Sequence, residues 1–201
     1  SNIISPKQAW GKVVIALAAG CLLFFIFNWF ALYFFNTGLR NYYCLKPAKI
    51  LCIGHSMSEM GIDRDLLEST LGVPVAKYCM NGAGTFDRLI MIQHYLETVK
   101  EPPELIVYDV SGRSFSSGLA TNSYALFFPF MDESEAVDSY LRSAASPEEY
   151  WQKKLIPLSR YDDTRLGAVV RGWRHDWKNR SLKKFDPASF QHDLDTGHFW
   201  K

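Results

Sequence analysis

Between residues 13 and 35 the chain is apolar almost without a break, and Asn28 is the one strongly polar residue in the run. At 1.5 Å of rise per residue, roughly 20 apolar residues cross the hydrocarbon core of a bilayer as a helix. A buried helix of a soluble domain would show a polar face, and this run has none. Trp10 at one end and Tyr33, Tyr42 and Tyr43 at the other are residue types that settle at membrane interfaces. The expectation is a tail over 1–12, a transmembrane helix over 13–35, a linker over 36–47 and one domain over 48–201. The chain is 48% hydrophobic and 15% aromatic, which supplies a core for that domain and argues against disorder. A net charge of +1 argues against a general nucleic-acid binder. The lipid bilayer is the first expected partner.

Two processing signals compete with an uncleaved anchor. A secretory signal has a shorter apolar stretch, about 7–15 residues. Ala18-Ala19-Gly20-Cys21 is similar to a bacterial lipobox, but Ala18 stands where Leu is usual and the apolar run continues past Cys21. Both points suit an anchor that stays attached. Lys7 and Lys12 precede the run, while Arg40, Lys46 and Lys49 follow it. The positive-inside count therefore leans towards a cytoplasmic domain. Cys21, Cys44, Cys52 and Cys79 have neither metal-ligand spacing nor the density of a disulfide framework. No metal and no cofactor is expected.

Past residue 48 the pattern alternates. A strand is expected over 49–53, then a helix over 56–71 with Leu66, Leu67 and Leu71 on an apolar face, stopped by Gly72. A second strand follows over 73–79, with a tight turn at Asn81-Gly-Ala-Gly84. A helix over 86–99 carries Leu89, Ile92, Gln93 and Leu96 near one face, Pro102-Pro103 breaks it, and a third strand covers 104–110. Strands alternating with helices of this length imply an α/β fold with a parallel, helix-covered sheet. Beyond Ser111 come a polar stretch, a bulky apolar run over 124–130, and helices over 134–145 and 147–155. Three parallel strands are few for a doubly wound sheet. The chain begins without Met and stops at Trp200-Lys201, so a longer whole protein is expected.

The chemistry concentrates in Ile50-Leu-Cys-Ile-Gly-His-Ser56-Met-Ser-Glu-Met-Gly-Ile-Asp63. Ser56 falls where a strand ends and a helix begins, at the sheet edge where catalytic groups of α/β folds gather. Its side chain serves either as a nucleophile or simply as the helix cap. Acyl transfer also needs N–H donors for an oxyanion. The Ser56 N–H, the Gly84 N–H and the Asn81 side chain are the candidates; the plainer alternative is that Asn81, Gly82 and Gly84 only make the turn.

These segments, with Tyr78-Cys-Met-Asn81-Gly-Ala-Gly84 and Leu105-Ile-Val-Tyr-Asp109-Val, resemble the opening blocks of the SGNH (GDSL-like) hydrolase superfamily. More narrowly, they are similar to its membrane-anchored branch, which includes DltD-type proteins of teichoic-acid D-alanylation and proteins of exopolysaccharide O-acetylation. The resemblance covers roughly residues 48–112. It implies a flavodoxin-like three-layer α/β/α fold, Ser56 as nucleophile, a Gly84 N–H in the oxyanion hole and an Asp-x-x-His pair near the C-terminus. It also implies an extracytoplasmic domain, against the charge count, and a multi-spanning membrane acyltransferase and an envelope glycan or polyanionic polymer as partners. Two departures stand out. His55 replaces the Asp usual before the Ser, and Ser111-Gly-Arg-Ser114 stands where a Gly-x-Asn block is usual.

Asp195-Thr-Gly-His198 has the implied spacing, with His198 as base and Asp195 orienting it. The alternative is a surface histidine near a terminus. Degeneracy into a non-catalytic membrane scaffold is the competing functional class. Two further patterns remain. Arg165, Arg171, Arg174, Lys178, Arg180, Lys183 and Lys184 are interleaved with Trp173 and Trp177, which suits anionic headgroups or a polyanionic glycan, or else a solvated basic helix. Gly82-x-Gly84-x-x-x-Arg88 is a truncated dinucleotide fingerprint without its third glycine.

Overall fold

Three short runs pair into a parallel sheet in the computed structural model, which describes residues 6–110 and 123–174. β1 (Ile50–Gly54) lies between β2 (Val75–Cys79) and β3 (Leu105–Tyr108). Ile50 pairs with both Val75 and Leu105, so all three strands end along one edge. β1 and β2 are largely buried, as parallel strands covered on both faces require. β3 is one of the two edge strands, and its Leu105, Ile106 and Val107 stay exposed.

β1 leads through α2 (Ser56–Gly61) and α3 (Arg64–Leu71) to β2, and β2 leads through α4 (Thr85–Thr98) to β3. Neighbouring residues of a strand point to opposite faces. On one face Lys77 Nζ donates to the Ile62 carbonyl at 2.6 Å. On the other, the Tyr78 hydroxyl meets Nδ1 of His94 on α4 at 2.8 Å. The α2–α3 pair and α4 therefore flank the sheet, and the expected α/β architecture is present in its general form.

Two expectations about the helices that flank the sheet need correction. The helix over 56–71 is two helices. Gly61 and β-branched Ile62 weaken it, and the Asp63 side chain accepts the Leu66 N–H at 3.0 Å, which starts α3 afresh. Gly72 ends α3 in a left-handed conformation, as expected (φ 67°). The second correction is the buried face of α4. Ile90, Met91, His94 and Tyr95 point inward with Asp87 and Arg88, while Leu89 and Leu96 are exposed. Apolar spacing favoured the other face because it gives no credit to polar groups that find partners in the core.

A 3₁₀ helix (Tyr124–Phe130) buries Phe127, Phe128 and Phe130. α5 (Glu135–Ala144), α6 (Pro147–Leu155) and α7 (Asp163–Trp173) follow. Ser134, Ser146 and Asp162 cap these three helices through their side-chain oxygens, each worth about 1 kcal/mol.

α1 (Pro6–Tyr42) is one N-terminal helix long and apolar enough to cross a membrane, and its most apolar 18-residue stretch has a mean hydropathy of 2.4. The Asn28 amide donates to the Phe24 carbonyl at 3.0 Å, while its buried Oδ1 has no hydrogen-bond partner among the described residues. The helix does not stop at 35. Residues 36–42 are its last turns, not a linker, and they are docked on α7. A Cβ on Gly172 would fall 1.7 Å from the Gly38 carbonyl oxygen, so the two backbones touch there.

Candidate active site at the carboxyl edge of the sheet

The three strand ends are held together by their own backbones. Met80 N–H donates to the Gly54 carbonyl at 3.1 Å, and Asp109 N–H to the Ile53 carbonyl at 2.9 Å. The turns after β1, β2 and β3 thus share one edge, and Ser56, Asn81, Gly84 and Asp109 lie in those turns or next to them.

At the end of β1 the chain turns sharply into α2. A Cβ on Gly54 would lie 2.4 Å from the Ser58 side chain and 3.0 Å from Asp109 Cβ, so only glycine allows this approach. His55 caps α2: its Nδ1 accepts the Met57 N–H at 3.1 Å. That bond occupies the Nδ1 lone pair, and the 3.5 Å approach of the same atom to Asp109 Oδ2 is a contact only. Asp109 instead accepts the Ser58 hydroxyl at 2.6 Å.

Ser56 is the first residue of α2, inside the cap, and is partly buried. The capping role that competed with catalysis belongs to His55. Among the described residues, nothing hydrogen-bonds the Ser56 hydroxyl, and its N–H, at a position with no intrahelical acceptor, is also unused. The hydroxyl and its own N–H stand together at the end of the central strand. The far side of α2 is tied to α1, where the Tyr42 hydroxyl donates to Glu59 at 2.8 Å.

The turn after β2 is built differently. Ala83 N–H closes it onto the Met80 carbonyl at 3.1 Å, with Gly82 at φ 83°. Asn81 is exposed, with no side-chain hydrogen bond among the described residues. The Gly84 N–H, which the family resemblance assigns to an oxyanion, donates to Asp87 Oδ2 at 2.7 Å. Asp87 is wholly buried and also accepts the Ser123 N–H at 2.7 Å and the Tyr140 hydroxyl at 2.6 Å. Arg88 beside it is also buried. Its guanidinium donates to the Asp109 and Gly84 carbonyls and lies 5.0 Å from the Tyr108 ring centroid. The Gly82-x-Gly84-x-x-x-Arg88 pattern is therefore a brace between α4 and β3.

Asp195 and His198 lie outside the described residues, as do Ser111–Ser114, His175 and His192. His94 is sealed in the core against Tyr78. Cys79, at the end of β2, is no rival nucleophile: burial pushes its thiol up to about 12, which keeps it protonated. Sequence reasoning placed Asp109 at this edge but missed Ser58 and Asp87. Asp87 had a signal, since it stands three residues after Gly84, where an acid reaches back to the residue before a helix. Ser58 had none.

No family model, curated protein or solved structure matches this chain.

Proposed function

We propose that this chain is a membrane-anchored serine acyltransferase or esterase acting on a cell-envelope polysaccharide or a teichoic-acid-like polymer. One observation carries the proposal: among the described residues the Ser56 hydroxyl is uncommitted at the carboxyl end of the central strand, while its neighbours His55, Ser58 and Asp109 are bonded to one another or to backbone. α1 anchors the domain in the bilayer, and the domain faces the extracytoplasmic side, as the SGNH resemblance implies. In the working mechanism Ser56 Oγ attacks an acyl carbonyl and its proton passes to His198, held by Asp195. The Ser56 N–H and the Asn81 amide hold the oxyanion. The donor alcohol leaves with a proton from His198, and a glycan hydroxyl or water then takes the acyl group from Ser56. A multi-spanning acyltransferase is the partner that delivers the acyl group. Ser56→Ala is expected to abolish polymer acylation or ester hydrolysis while leaving the circular dichroism and the unfolding midpoint intact. Unchanged activity contradicts the proposal.

The second reading is an SGNH-like scaffold without catalysis. The Gly84–Asp87 bond favours it, because it removes an N–H that an oxyanion hole would need. Loss of one such donor typically costs about 10²–10³ in rate. Under this reading Ser56→Ala leaves every function of the chain unchanged.

A further inference from the structure

The basic, tryptophan-bearing stretch that begins in α7 is not used by the catalytic reading, and the structure places part of it beside the anchor. Trp173 stacks on Phe34 with ring centroids 4.7 Å apart and planes 14° apart, and its Nε1 donates to the Phe34 carbonyl at 2.7 Å. Tyr161, just before α7, donates to Asn36 and packs on Phe35 at 4.9 Å. Phe34 to Asn36 is where the apolar run of α1 gives way to polar sequence. Two amphipathic aromatics of the domain are thus fixed at the depth where a spanning helix leaves the hydrocarbon.

Their depth is not free to vary. Gly38 and Gly172 bring the helices into backbone contact, and a Cβ on Gly38 would also meet Val169 and Trp173 at 2.8 Å. Trp173 is 40% exposed and Phe34 46% exposed, so their shared surface continues the apolar surface of α1. Charge follows the same plan. Arg174 lies at this end of α7 and Asp162 and Asp163 at its other end, while Arg171 turns to the domain side, 5.1 Å from the Tyr42 ring centroid. Cations at a helix C-terminus also suit the helix dipole.

We propose that the C-terminal turn of α7 is a second membrane contact, with Trp173 seated in the headgroup layer of the bilayer that α1 crosses and Arg174, next to it at the helix end, at the level of anionic headgroups. This rests on the reading of α1 as a membrane span. The domain is then held down at two points and cannot swing freely about its anchor, which fixes the height of the Ser56 edge above the membrane.

The test uses the intact chain in vesicles of phosphatidylcholine and phosphatidylglycerol, with acyl chains brominated either near the headgroup or near the methyl end. Two single-tryptophan proteins are compared, one keeping Trp29 in the span and one keeping Trp173, all other tryptophans being phenylalanine. Trp173 fluorescence is expected to be quenched more strongly by the shallow bromines than by the deep ones, and more strongly as the phosphatidylglycerol fraction rises. Trp29 is expected to respond strongly to the deep bromines. Gly172→Leu in the Trp173 protein is expected to abolish Trp173 quenching by forcing the helices apart; quenching that survives it overturns the depth coupling. A quenched Trp29 with an unquenched Trp173 overturns the proposal and leaves the span standing. A blue-shifted but unquenched Trp173 shows that protein covers it and overturns the proposal too. If neither tryptophan is quenched, the span itself fails.

Discussion

The turns after β1 and β2 stand side by side at one edge of the sheet and treat their polar groups in opposite ways. Behind the β2 turn, Asp87 is completely buried and takes three donors, from Gly84, Ser123 and Tyr140. At the β1 turn, Ser56 keeps its hydroxyl and its N–H unbonded among the described residues, next to a histidine whose side chain is only 17% exposed. Burial makes an unmet polar group expensive, so the first cluster has every incentive to be saturated. The second stays open because it faces outward and can be served by water or substrate. Similar residue types at the same edge thus divide into a structural knot and an available site.

Breaking the knot should have the largest effect. Asp87→Ala leaves two backbone N–H groups and the Tyr140 hydroxyl without their acceptor, and a loss of roughly 3–5 kcal/mol is expected in urea unfolding. Gly54→Ala comes next. Its new methyl meets Ser58 and Asp109 and should cost about 1–3 kcal/mol as overpacking. Ser58→Ala removes one charge-assisted bond to Asp109, for about 1–2 kcal/mol, and should lower the rate at Ser56 without eliminating it. A retained midpoint for Asp87→Ala together with a large shift for Ser58→Ala would invert the contrast between the two turns.

A smaller effect tests the exposed limit of the same rule. The Ser134 hydroxyl donates to Glu97 at 2.6 Å and, with the Ala136 N–H, holds that carboxyl below its usual range. A depressed folded value contributes stability above the unfolded value, and this is lost as pH falls through the folded value. Wild type and Glu97→Gln should therefore differ most near neutral pH and converge in acid, as read from unfolding midpoints across pH. The smallest expected effect on stability belongs to Ser56→Ala, within about 0.5 kcal/mol, because no side-chain hydrogen bond among the described residues is removed.

Strand order aside, the α/β alternation was legible from residues alone, since apolar runs, Gly72 and Pro102-Pro103 mark element boundaries by local chemistry. So was the apolar N-terminal helix. What escaped was whatever depends on distant partners. α4 buries the face carrying Asp87 and His94 because Tyr140, Ser123 and Tyr78 meet them from elsewhere in the chain, and no local pattern announces that. The helix end over 36–42 looked like a linker because its stabilising contacts come from α7, more than a hundred residues on. At the site, Ser56 was legible as a position, and the His55 cap that leaves it open required the structure.

The central claim is that Ser56 is a nucleophile and its neighbours are not. A fluorophosphonate probe reports this directly on the folded chain in its membrane. The account predicts a covalent adduct that mass spectrometry maps to Ser56, absent in Ser56→Ala and still formed in Ser58→Ala. An adduct that survives Ser56→Ala, or no adduct on a folded chain, would contradict it.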